Sequence, residues 1–389
     1  MPAKTNYNVN GKEYYRVSLE LGRDSNGKRK TKFFTGKNKK EAEQKRQDFI
    51  KKMNSGIIDT KTRWLGETMK VWLFEVIKMG QIKPTSFARY EGIFSNYIEN
   101  SPIACISLDK LQPISIQRYY NALYKEGKSN SQIKNCNKLL KQFLNYAVDS
   151  NYIIKNPCDG KKVIIPKDNV IDECSKDIPV FTDDELKKII HAPEDSKIKY
   201  IALFSLATGM RKGEILGLKE SDIDYKNNEL TISRTVVTSP IFDENNKKTK
   251  KTFIQAPKTK NSLRILPLPK SVIPLIKKAL LLQKQDIIKA GNSYKKENLG
   301  FIFLSELGYL INASNIDKSW IYFLKRIGIK HKKFHAIRHT YATKQFENNI
   351  PLKTISELLG HSSIEITANT YTHVLKKEKE KMVDILNIL

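Results

Sequence analysis

The chain has 389 residues, with 69 Lys and Arg against 41 Asp and Glu, a formal net charge of +28 and a pI near 9.7. That length exceeds what one core organises, so two or three domains are expected. The basic excess runs along the whole chain and implies a polyanionic partner, either nucleic acid or an anionic membrane surface.

The opening MPAKTNYNVN lacks an apolar signal core. No apolar run approaches the roughly 20 residues of a membrane span, so a soluble, cytoplasmic protein with no membrane partner is expected. Cys105, Cys136, Cys158 and Cys174 stand far apart without metal-ligand spacing and read as small buried side chains in a reducing compartment.

Along residues 1–60, 15 Lys and Arg face 7 Asp and Glu. Tyr15, Val17 and Leu19, then Phe33 and Phe34, alternate with polar residues around Asp24-Ser25-Asn26-Gly27, where Asn-Gly favours a hairpin. The helical stretch KNKKEAEQKRQDFIKKM follows, so a small basic sheet backed by a helix is expected, suited to a nucleic-acid groove. Residues 61–160 turn helical, with LGETMKVWLFEVIKM, PTSFARYEGIFSNYI, ISIQRYYNALYKEG and NSQIKNCNKLLKQFLNYAVDS each spacing apolar residues by three and four. Four such helices form a bundle, which can serve as a DNA clamp or as a plain structural or dimerisation element.

Residues 161–178 are polar and aperiodic, a linker. Residues 179–389 open on the capping signal Thr182-Asp183-Asp184-Glu185. They read as mainly helical, with strands at ELTISRTVVT, KKTFIQAPK and LRILPLP and an exposed hairpin extension at IFDENNKKTK. The tail KKEKEKMVDILNIL is charged first and apolar after, an amphipathic helix that packs on a neighbouring copy or back on its own chain.

Five of the six histidines fall between His331 and His373. Arg211 in ATGMRKGEILGL follows a glycine helix cap and opens the next helix, with Glu214 three residues on as an orienting carboxylate. Lys258 lies in PKTKNSLR between two strands, with Lys260 its rival. His335 and Arg338 in HAIRHTYAT face the same way on a helix, and His339 lies next to them. His335 and His339 could supply half of a zinc site, but no H-E-x-x-H glutamate is present and Arg338 between them repels a cation. His361 follows Leu359-Gly360, where glycine ends a helix, and Tyr371 stands ten residues further on in TANTYTHV.

In that order and in those contexts, Arg211, Lys258, His335, Arg338, His361 and Tyr371 resemble the site of the tyrosine recombinase (phage integrase) family. The match covers nearly the whole chain and is most specific in its final third. The resemblance implies a multidomain fold: an arm-type DNA-binding domain (residues 1–60), a helical core-binding domain (61–160), and a mainly α, α+β catalytic domain (179–389) whose last helix packs in trans.

Cleaving a phosphodiester without metal needs charge on the non-bridging oxygens, a nucleophile and an acid. Arg211 and Arg338 suit the first task, because a guanidinium donates in pairs and stays charged. Lys258 is the candidate acid for the leaving 5′-oxygen. His335 and His361 are phosphate donors or proton relays, and His339 is expected to bond within the core. Tyr371 is the nucleophile, and a phenol with an ordinary pKa near 10 needs cationic surroundings to act as one.

The family course is a 3′-phosphotyrosyl link reversed by a partner strand's 5′-hydroxyl, with no ATP, metal or other cofactor, in a homotetramer passing through a Holliday junction. An arm-binding module points to the integrase of a phage or conjugative transposon, acting on double-stranded DNA with an excisionase and a host DNA-bending protein. The alternatives are a type IB topoisomerase-like enzyme and a non-enzymatic DNA-binding regulator. The separate N-terminal sheet and the LGHSSIEITANTYTHV ending weigh against the first, and the intact set of six residues against the second.

Overall fold

The computed structural model describes residues 6–9, 12–23, 29–54, 62–160, 162–166, 179–256 and 263–371. The chain divides into two compact units, Met1–Val170 and Ile171–Leu389. The turn at Asp24–Gly27, Cys174, most of the linker and the amphipathic tail lie outside the described residues.

The N-terminal module is an antiparallel sheet in the order β1 (Tyr7–Val9), β2 (Lys12–Arg23), β3 (Arg29–Gly36), backed by α1 (Lys39–Asn54). The register pairs Val17 with Phe34, which puts both on the face where Phe34 meets Phe49 of α1 with ring centroids 5.2 Å apart. Asn38 starts α1 by accepting the Glu41 N–H at 2.8 Å, while Glu41 accepts the Lys37 N–H at 2.9 Å. On the other face the Arg16 guanidinium lies over the Tyr7 and Phe33 rings, at 4.3 and 3.8 Å. The short β1 was not foreseen, because three residues are too few to show alternation.

The bundle comprises α2 (Leu65–Val71), α3 (Pro84–Tyr97), α4 (Pro113–Lys125) and α5 (Asn130–Asp149). Proline begins α3 and α4, where its missing N–H costs nothing, and Ser129 with Gln132 closes a capping box on α5. Ile133, Cys136, Leu140, Phe143, Leu144 and Ala147 are the buried stripe of α5, and Trp72 packs on Phe143 at 5.5 Å. A π-helical turn, Trp72–Ile77, extends α2; apolar periodicity does not distinguish it from α-helix. Cys136 and Cys158 are buried, but Cys105 is exposed, in a loop rather than on a packed face.

In the second unit the capping box Thr182/Glu185 starts α6 (Asp183–Ile190). Next come α7 (Lys197–Thr208) and α8 (Lys212–Leu216), then β4 (Ile223–Asp224), β5 (Glu229–Ile232), β6 (Thr235–Phe242), β7 (Lys248–Gln255) and β8 (Arg264–Pro267). Helices α9 (Val272–Ala290), α10 (Ala313–Arg326), α11 (His335–Glu347), α12 (Leu352–Leu359) and α13 (Ile364–Thr370) complete it. Helix α7 is apolar nearly all round and is buried by α6 and α8 to α11, as such a sequence must be.

The sheet runs β4-β5-β8, while β6 and β7 form a separate antiparallel hairpin. ELTISRTVVT is therefore two strands: the break falls at Ser233-Arg234, where Arg234 turns to bond Asp222 at 2.5 Å. IFDENNKKTK is the exposed end of that hairpin, with Phe242 and Lys248 pairing as its last rung.

Among the described residues, no helix is long and apolar enough to cross a membrane. The core of this unit gathers around Trp320, which stacks on Phe323 at 5.5 Å, meets Phe181 and Phe334 edge-on, and donates its indole N–H to the Lys332 carbonyl at 2.9 Å. Trp320→Ala is expected to lower stability by about 3–5 kcal/mol, the range for large buried aromatics, and Trp320→Phe by less; urea unfolding of the two variants against the parent chain measures both.

Candidate active site

Helix α7 ends at Gly209, whose φ of +66° belongs to the left-handed region, and a Cβ there would stand 2.5 Å from the Tyr341 ring. Glycine thus turns the chain sharply and lets Tyr341 close over it. Arg211 follows as the residue capping α8. Its backbone N–H and its guanidinium both donate to the Glu214 carboxylate at 2.9 Å, and its second terminal nitrogen donates to the Gly360 carbonyl at 2.9 Å.

Glu214 is buried and also accepts two bonds from Arg264, at 2.9 and 3.2 Å. Burial alone would raise its pKa, but the Arg264 hydrogen bonds and charge, followed by Arg211, outweigh that and hold the carboxyl below its ordinary range.

Arg264, the first residue of β8, was not singled out from the sequence. It donates through Nε to the Leu358 carbonyl at 3.0 Å. Arg338, on α11 and only 2 % exposed, donates to the Gly209 carbonyl at 2.7 Å and the Leu359 carbonyl at 2.6 Å. Arg264, Arg338 and Arg211 therefore take the carbonyls of Leu358, Leu359 and Gly360 in succession, at the end of α12 where helical carbonyls lack intrahelical partners and the dipole is negative. Burial first, then the Arg211 charge, push the Arg338 pKa down to about 9, so it remains a cation at neutral pH.

Gly360, at φ +63°, ends α12, and His361 follows with Nδ1 2.7 Å from the Thr367 hydroxyl. Burial, then Arg338, Arg211, His335 and Arg264, lower the His361 pKa to about 4. His335 opens α11 with its side chain exposed at the rim and bonded to no other described residue. The protein packed around it, then His339, Arg338, Arg211 and Lys212, all push it towards the neutral form.

His339, one turn along, stands edge-on to His335 with centroids 4.8 Å apart. Its Nδ1 lies 2.9 Å from the hydroxyl of the buried Tyr371. Burial, then Arg338, lower its pKa as well.

Tyr371 is 1 % exposed, with its ring against Phe346 at 5.4 Å in a small cluster with Ala342, Ile355 and Leu359. Burial raises the phenol to about 12 and Arg338 opposes that rise. Arg211, Glu214, His335, Arg338, His339, His361 and Tyr371 are thus brought together from α8, α11, α12 and α13. Lys258 and Lys260 lie outside the described residues.

The sequence model of the phage integrase family matches residues 179–378, and that of the phage integrase N-terminal SAM-like domain matches residues 64–124. A protein named Tyrosine recombinase XerC-like, from Caldanaerobacter subterraneus, is 48% identical over 391 residues, covering 100% of both chains. The transposase from transposon Tn916 of Enterococcus faecalis is 24% identical over 277 residues, 69% of this chain and 64% of its own.

In fold, the chain is similar to the Tn1549 transposon integrase in complex with a circular intermediate DNA, with a TM-score of 0.63 at 19% identity over 81% of this chain and 99% of that one. It is also similar to a lambda integrase tetramer bound to a Holliday junction, with a TM-score of 0.55 at 20% identity over 95% of each. The family match over the C-terminal unit and the end-to-end likeness to the XerC-like relative establish that this chain belongs to the phage integrase family, the tyrosine recombinases, and is an enzyme of site-specific DNA recombination.

Proposed function

We propose that the chain integrates and excises a mobile element, cleaving and rejoining double-stranded DNA through a 3′-phosphotyrosyl link on Tyr371. The carrying observation is the convergence of Arg211, His335, Arg338, His361 and Tyr371 from segments up to 160 residues apart. Three arginines against the single carboxylate of Glu214 leave a surplus of positive charge, which an incoming phosphate would neutralise.

Arg211 is the more open of the proposed clamp, its side chain 36% exposed, and Arg338 lies behind it. The neutral imidazoles of His335 and His361 each offer one N–H to a non-bridging oxygen. Lys258 protonates the leaving 5′-oxygen. Because the phenol is buried, DNA has to open the rim above it before Tyr371 meets phosphorus.

Residues 1–60 bind arm sites, 61–160 clamp the core site and 179–389 carry the chemistry, with 161–178 linking them and the tail helix packing on a neighbouring copy. Solved relatives bound to a circular intermediate and, as a tetramer, to a Holliday junction support a homotetramer on DNA here. An excisionase and a host DNA-bending protein act with it in the cytoplasm. Tethering through arm and core sites together sets overall affinity.

Incubated in EDTA with supercoiled plasmid bearing its attachment region, the protein is expected to form a covalent DNA adduct on a denaturing gel. Tyr371→Phe should form none, and an adduct persisting in that variant sinks the assignment. Glu214→Gln leaves Arg211 and Arg264 facing each other without a counter-charge, so a loss of about 3–5 kcal/mol in urea unfolding is expected, together with weaker adduct formation.

Stability should also depend on pH through the histidines. A His361 held at about 4 in the fold but ordinary when unfolded takes up its proton first in the unfolded chain. Stability is then complete above about pH 6.5 and falls as the pH drops towards 4. Melting temperatures across that window test this, and His361→Asn should flatten the slope.

A further inference from the structure

We propose that His339 is the proton acceptor for the nucleophile: its Nδ1 takes the phenolic proton as Tyr371 Oη bonds to phosphorus. The proposal rests on the reading of Tyr371 as nucleophile and adds a group that the sequence reading gave only a place in the core. His339 Nδ1 is 2.9 Å from Oη, and no other described residue bonds that hydroxyl. A buried phenol that only accepted a bond would leave its own hydrogen without a partner, so Oη donates and Nδ1 accepts, with the ring proton on Nε2.

The enclosure explains why a protein group is needed. Tyr371 is 1 % exposed in the free protein, so its proton has the bonded His339 rather than bulk water as its nearest acceptor. Burial also raises the phenol to about 12, so it does not ionise unaided near neutral pH. His339 is kept neutral, and so able to accept, by burial and by Arg338. The titratable and charged groups about it are His335 and Arg338 on its own helix and Tyr371 opposite.

The step balances. Oη–P forms, P–O5′ breaks, the phenolic proton moves to His339 and the 5′-oxygen takes a proton from the general acid. Rejoining runs in reverse, with His339 returning its proton to Oη as the tyrosyl leaves.

The test is single-turnover adduct formation by the full chain on a nicked duplex whose core sequence is recovered by covalent capture from a random library. His339→Ala and His339→Asn are compared with the parent chain, and Asn keeps an oxygen near the Nδ1 position without a basic nitrogen. Both variants should bind the duplex as the parent does, with adduct rates about a hundredfold lower at pH 7, as loss of a general base predicts. Their rates should climb about tenfold per pH unit as hydroxide replaces the imidazole. A 5′-bridging phosphorothiolate, whose leaving group needs no acid, should not restore them.

An Asn variant within about twofold of the parent, a loss that does not vary with pH, or rescue by the thiolate each overturns the proposal. If neither variant folds, the parent on the phosphorothiolate duplex decides it, because no leaving-group protonation contributes there: a solvent deuterium isotope effect near unity on rate-limiting adduct formation overturns it. An adduct in Tyr371→Phe would instead remove the nucleophile assignment, whatever the His339 variants do.

Discussion

The end of α12 organises this site. Carbonyls at a helix C-terminus carry partial negative charge and have no partners of their own. Here Leu358, Leu359 and Gly360 each receive an arginine, from β8, α11 and the start of α8 respectively. The three arginines come from residues 211, 264 and 338, so no local segment can build the cluster, and it exists only once the catalytic unit has folded. Glu214 keeps it from flying apart, binding Arg211 and Arg264 through the same two oxygens. Without that carboxylate, burial and mutual repulsion would both act against the cations.

The same charge pattern decides the state of the other groups. Burial first, and then the neighbouring positive charges, with Arg338 common to all three, hold the imidazoles of His335, His339 and His361 towards the neutral form. The phenol feels two opposed effects. Arg338 favours phenolate, but enclosure by Phe346, Ile355 and Leu359 favours the neutral form and wins. Tyr371 therefore rests as a neutral phenol.

Much of this was legible in the chain where the signal is local. Gly209 before Arg211, and Gly360 before His361, mark sharp turns because only glycine takes a left-handed backbone there without strain, and each turn presents the functional residue after it. The capping residue Thr182 likewise marked a helix start. Arg264 was not legible, since its role depends on Glu214, 50 residues away, and its only sequence mark is a place at the foot of a strand. His339 was read as a core histidine because its partner lies 32 residues on, beyond any periodicity. The break in ELTISRTVVT follows from an Arg234–Asp222 pair that composition does not announce.

Arg338 and Tyr371 also share a part. Leu359 holds Arg338 through its carbonyl and packs with Tyr371 through its side chain. On the proposed reading, a phosphate oxygen competing for the Arg338 N–H groups would pull on the same residue that packs against the phenol. Packed interiors do not yield at one contact alone, so a shift in the last turn of α12 would be felt at both Arg338 and Tyr371.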